Sequence, residues 1–208
     1  MPNPVLQPWI QLIPMIPVGE HSVVVTAETW QQSLHSCGLQ NLHHMIFNGR
    51  QCVRLSRSRL LTYAYPNHEQ KCVEVFMWGW PNRSRGTLRD MFLQNLQSIA
   101  AGASKGQPWP AYYERLHHIG GLGISTISKL AYFYGHQFAG MDSLILDQRI
   151  IEVLTAGRWQ GVSMPNLNYA NAPANYLTYL KTLSGMAGQL GCAPDQLEML
   201  LFSWGNAF

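Results

Sequence analysis

The sequence predicts an all-α protein, two helical lobes around a cleft with a small extended N-terminal part. Three observations carry this. From Gly86 onward apolar residues recur at helical spacing; Leu88, Met91, Phe92, Leu96 and Ile99, for example, share one face. Helix punctuation falls where that period starts and stops, with Pro110 and Pro173 at starts and Gly102, Gly135 and Gly157 at ends. An apolar fraction of 47% against 12% charged residues lets 208 residues bury a real core.

Taken in order, residues 1–25 carry Pro2, Pro4, Pro8, Pro14 and Pro17 and then Val23, Val24 and Val25, which reads as an extended arm with one short strand. Thr26 opens a helix running to about Phe47, with Trp30, Leu34, Leu42 and Ile46 inward and Gly38 as an interruption. Residues 50–80 have no clear period: Val73 to Trp78 suits a strand or a helix end, and Pro66 and Pro81 mark turns. Helices follow over 87–101, 110–117, 124–134, 144–155, 173–190 and 194–204, with a Gly/Pro/Asn loop at 158–172. A division at residue 85 separates an N-terminal portion (1–85) from a catalytic region with C-terminal helices (86–208).

The totals narrow the function classes. A net charge of +3 permits a nucleic-acid partner, but contact must come from a local patch and backbone amides rather than a global field. Cys37, Cys52, Cys72 and Cys192 form no CxxC pair, so no zinc ribbon or iron–sulfur loop is visible. The adjacent pairs His43-His44 and His117-His118 point apart on a helix and chelate nothing by themselves. No apolar run reaches membrane-spanning length, and the start lacks a basic leader, so an intracellular protein is expected.

Chemistry concentrates in Leu116-His-His-Ile-Gly-Gly-Leu-Gly-Ile-Ser-Thr-Ile-Ser-Lys129. Gly121 and Gly123 flank Leu122, a pattern that permits positive φ in a tight hairpin and clears side chains from an approaching surface. The helix beyond would aim free N–H groups at a phosphate. A plain helix–helix turn would carry the same glycines. Lys129 stands in an apolar helix; it either snorkels to water or is a desolvated amine ready to attack as a nucleophile. Asp147, inside the apolar Leu144-Ile-Leu-Asp, needs either a cap role or a charged partner. A lysine and an aspartate facing one pocket suit base excision, the amine attacking the anomeric carbon and the carboxylate supporting positive charge.

Residues 116–151 resemble the helix-hairpin-helix superfamily of DNA glycosylases, and more narrowly the 8-oxoguanine glycosylase group. In much of that group the catalytic lysine would fall at Ser125; here Lys129 lies one turn later on the same face, as in the archaeal branch. The resemblance makes Asp147 the catalytic acid. It gives Gly121, Gly123, Ser125, Thr126 and Arg149 to DNA binding. Glu198-Met-Leu-Leu-Phe202-Ser203 is similar to the family's Gln-x-x-Leu-Phe-Ser helix, with Glu198 in place of the Gln that reads a guanine edge and Phe202 as the ring that stacks on the base.

The function so implied is a DNA glycosylase and abasic-site lyase that flips a guanine-like, oxidised base out of duplex DNA and forms a Schiff base through Lys129. No metal or organic cofactor is required, although a monovalent cation at the hairpin carbonyls is compatible. Two alternatives stay open: a non-catalytic helix-hairpin-helix DNA-binding module, favoured by the Ser at position 125, and a glycosylase for another modified guanine, favoured by Glu198.

Overall fold

The computed structural model describes residues 10–81, 86–120, 122–157 and 161–205. Among them the protein is mostly helical, as expected, with eleven α-helices and two small two-stranded sheets.

The N-terminal part begins with two short 3-10 turns, Ile13–Met15 and Val18–Glu20. Strand β1 (Ser22–Thr26) then pairs antiparallel with β2 (Cys52–Ser56), with Val24 opposite Arg54. Val25, Val53 and Leu55 face the core while Val24 and Arg54 face out, the two-residue alternation of a half-buried sheet. The expected helix over 26–47 is two helices, α1 (Ala27–Ser36) and α2 (Gln40–Phe47). Gly38 separates them with φ +74°, a conformation that ends a helix and that glycine adopts without strain.

The region without a clear period folds as two helices. Ser56 caps α3 (Arg57–Thr62) by accepting from the Arg59 N–H, and Asn67 caps α4 (His68–Gly79) by accepting from the Gln70 N–H. Val73–Trp78 is therefore helix. Every residue from Cys72 to Trp78 is buried, so α4 has no polar face to reveal its period.

The later helices fall close to expectation: α5 (Gly86–Gln94) and α6 (Leu96–Ala103), divided at Asn95 where one helix was expected, then α7 (Trp109–Gly120) and α8 (Ile124–Phe133). A miniature hairpin, β3 (Gln137–Phe138) with β4 (Met141–Asp142), precedes α9 (Gln148–Thr155), α10 (Ala172–Leu190) and α11 (Pro194–Trp204). The helix expected from Leu144 begins only after Asp147, because Asp147 is its N-cap with extended backbone.

Helix α8 is the central element. Everything from Thr126 to Phe133 is buried, and α3, α4 and α7 pack on it. The hydrophobic core is one cluster that draws on both portions of the chain, from Val25 and Trp30 to Leu180 and Leu201.

Candidate active site

The site is built on two backbone segments that meet. One is α8, which carries Ser125, Ser128 and Lys129. The other is Leu144–Asp147, a run with neither helix nor strand that leads into α9. Irregular backbone inside a core must find hydrogen-bond partners outside its own segment, and three side-chain hydroxyls supply them. Ser128 Oγ accepts from the Leu146 N–H at 3.0 Å. Tyr179 donates to the Ile145 carbonyl at 2.7 Å, and Tyr176 to the Leu144 carbonyl at 2.6 Å. Asp147 is thereby fixed beside α8. Its Oδ1 accepts from the Ile150 N–H at 3.2 Å, as an N-cap does, while the residue stays half-buried on the wall of a cleft of about 370 Å3. Trp80, Ser125, Gln148, Arg149 and Tyr169 line the rest of that cleft.

Lys129 does not snorkel. It is 8% exposed, and its Nζ turns back one helical turn to donate to Ser125 Oγ at 2.7 Å and to the Ser125 carbonyl at 3.3 Å. The ammonium is therefore held by Ser125, a residue that lines the cleft, while Lys129 itself is not part of the lining. On its other side the last turn of α4 presses on the lysine's methylenes; a Cβ at Gly79 would stand 3.3 Å from Lys129 Cδ. Burial pulls the Lys129 pKa below its ordinary value. Asp147 and Glu198 oppose this by favouring the charge, Arg57 reinforces it, and the net direction is down.

The remaining expected site residues divide. Arg149 is exposed at the cleft, with its guanidinium 5.2 Å from the Phe202 ring, so Arg149 and Phe202 do meet. Gly121 lies outside the described residues. Gly123 has φ −85°, ordinary extended backbone, so no left-handed turn explains it. Space does: a Cβ there would collide with the Tyr169 hydroxyl. Thr126 is a correction. Its side chain is buried at 4% exposure and its N–H bonds the Gly123 carbonyl, because α8 turns that face into the core.

Glu198 is also corrected. It is wholly buried, and both carboxylate oxygens accept from Arg57, Oε1 at 2.9 Å and Oε2 at 3.0 Å. A carboxylate engaged on both oxygens by one guanidinium is not a free reader of a base edge. Arg57 was not singled out in the sequence because its partner lies 141 residues away. Around it stand Tyr132, Trp78 and His21, also unsignalled by any motif. Buried hydroxyls on helices, such as Ser128, Tyr176 and Tyr179, are the class of signal that could have drawn attention to the 144–147 run.

The α7–α8 turn closes on itself. The Leu122 carbonyl accepts from His117 Nδ1 at 2.8 Å, which requires that nitrogen to carry the ring proton. A cation at this turn would compete with the imidazole for that oxygen. Among the described residues no group of three His, Cys, Asp or Glu could hold a metal ion, and no helix is long and apolar enough to cross a membrane.

Among curated proteins and among solved structures nothing matches the chain. A family comparison does, over residues 16–202, which span both small sheets, the α3–α4 region, Lys129, Asp147, Glu198 and Phe202; on that match the chain belongs to the family described as "Putative 8-oxoguanine DNA glycosylase OGG-like protein".

Proposed function

We propose that this protein is a DNA glycosylase with abasic-site lyase activity on an oxidised guanine, using Lys129 as nucleophile. The observation that carries the reading is a buried lysine whose amine is held by Ser125, which lines one cleft with Asp147. Family membership supports DNA as substrate and a guanine-type lesion as the base.

The residues act as follows. The first N–H groups of α8 and the exposed Arg149 meet backbone phosphate, which positions the duplex without reading sequence. The target nucleotide leaves the stack and its base lies on Phe202. Lys129, its pKa lowered by burial, presents an uncharged amine. The Nζ lone pair bonds to C1′ as the glycosidic C–N bond breaks, and that electron pair leaves with the base, which takes up a proton. Loss of the amine proton and opening of the sugar ring give the Nζ=C1′ imine. Removal of a C2′ proton then expels the 3′ phosphate and cuts the strand. Asp147 keeps one carboxylate oxygen on the Ile150 N–H, and its charge supports the cationic sugar and draws protons from the amine.

The test is borohydride trapping on duplexes carrying 8-oxoguanine, other modified guanines, uracil or a preformed abasic site. Wild type should form a covalent adduct, and Lys129→Gln should lose it while still binding duplex. An adduct that persists in Lys129→Gln assigns the chemistry to another amine and defeats the reading.

A further inference from the structure

Three buried side-chain nitrogens near this site lack a close hydrogen-bond partner among the described residues: Trp78 Nε1, His21 Nδ1 and Arg57 Nε, the last with the Tyr132 hydroxyl near its guanidinium while that hydroxyl donates to Asp195. Trp78 is 6% exposed and Arg57 1%. An indole N–H and a guanidinium N–H can only donate, and folded proteins rarely leave such buried donors unmade. The three are neighbours. The His21 ring is 5.1 Å from the Trp78 ring, and the Arg57 guanidinium is 5.4 Å from the same indole.

Their place is what gives them meaning. His21 also lies 5.8 Å from Phe202, and Phe202 is in turn covered by Arg149, which lines the cleft with Asp147 and Ser125. Gly79, next in the chain after Trp78, rests on the Lys129 side chain. The cluster therefore touches Phe202 through His21 and adjoins Lys129 through Gly79, and none of its three residues is in the lining of the cleft itself. Arg57 cannot swing away to find water, because its other two nitrogens are fixed on Glu198 at 2.9 and 3.0 Å.

We propose that Trp78, Arg57 and His21 form the wall that reads the extruded base, selecting an edge that offers at least two acceptor atoms. This rests on the glycosylase reading above and moves base recognition from Glu198 to residues of the N-terminal part. Glu198 becomes a positioning residue that holds the guanidinium. The edge of an oxidised guanine fits: O6 and O8 accept from the indole and the guanidinium, and N7–H meets the imidazole nitrogen. Burial, and then the Arg57 charge, hold His21 below its ordinary pKa, so the ring is neutral and Nδ1 can present a lone pair. Adenine offers an amine where O6 stands, and that amine would face donors.

Single-turnover base release is measured on duplexes with 8-oxoguanine, an adenine lesion or a pyrimidine lesion, beside strand cleavage of the same duplex with a preformed abasic site. The proteins are wild type, Trp78→Phe and His21→Phe, which keep an aromatic ring and remove the nitrogens. Each variant should lose about tenfold or more in release of 8-oxoguanine, the effect of one buried hydrogen bond. Abasic-site cleavage, which has no base to read, should change far less. Unchanged base release in both variants overturns the proposal. So does an equal loss in both reactions, which would mean that the residues serve the fold or the amine. So does a wild type that cleaves abasic sites but prefers an adenine or pyrimidine lesion. A wild type that neither cleaves nor traps the abasic duplex overturns the glycosylase reading itself.

Discussion

Ser128 Oγ lies 3.0 Å from the Leu146 amide nitrogen and 3.3 Å from its carbonyl oxygen, and this one hydroxyl joins the residue before Lys129 to the residue before Asp147. Lys129 lies in α8 and Asp147 caps α9, so their separation depends on that joint. Ser128→Ala leaves the Leu146 N–H buried without an acceptor, a loss of about 1–3 kcal/mol in stability. Turnover should fall further than stability explains, with duplex affinity little changed, because the misplaced group is Asp147 and not the phosphate contacts. Urea unfolding and single-turnover cleavage under conditions where the variant is fully folded check this. Full activity in a destabilised Ser128→Ala protein would reduce the hydroxyl to a packing role.

Lys129 should react at lower pH than a free lysine. Only the uncharged amine attacks, and burial lowers its pKa, so below both values the buried site holds more of the reactive form. The adduct-forming rate should rise with pH and level off through a midpoint below the ordinary lysine value of about 10.4. Ser125→Ala removes one acceptor of the ammonium, so the charged form loses support and the midpoint should move down again. A profile that climbs unbroken to the free-lysine range contradicts the desolvated amine.

Asp147 holds two jobs that substitution can separate. Asn caps a helix about as well as Asp, so Asp147→Asn should stay within about 0.5 kcal/mol of wild-type stability. Activity should drop on the order of a hundredfold or more through loss of the charge. Because Asp147 also raises the Lys129 pKa, the pH midpoint of Asp147→Asn should lie below that of wild type even as its maximal rate falls. Asp147→Ala should add a capping loss of about 1 kcal/mol. Thermal melts and pH–rate profiles of the two variants distinguish these contributions.

Lys129 and Asp147 were legible in the sequence for one reason: each is a charge in an apolar stretch, and such a charge needs an explanation. The amphipathic helices after Gly86 were legible because their polar faces mark the period. The elements that complete the site lack both signals. Helix α4, which brings Trp78 and Gly79 to the lysine, is buried over most of its length and so shows no alternation. Arg57 opens a six-residue helix, too short for a period, and its meaning comes only from a carboxylate near the far end of the chain. The C-terminal pattern misjudged Glu198 because the partner that engages the carboxylate could not be seen from one dimension.

The Arg57–Glu198 pair should behave as a buried ion pair and not as a ligand contact. Its two hydrogen bonds join α3 to α11, and neither side chain is more than 1% exposed. Removing one partner strands the other charge in the core, which typically destabilises by about 3–5 kcal/mol. Glu198→Ala should therefore lower the melting temperature sharply. Arg57→Met alone should do the same, and the double variant Arg57→Met with Glu198→Leu should recover much of the loss, because well-packed apolar residues replace such pairs at little cost. The double variant should still form the Lys129 adduct on a preformed abasic site while releasing 8-oxoguanine poorly, since Arg57 is gone from the base-reading wall. Double-mutant thermodynamics by urea unfolding measures the coupling directly. If Glu198→Ala leaves stability untouched and alters only which base is removed, the carboxylate reads the base after all and the pairing with Arg57 is incidental.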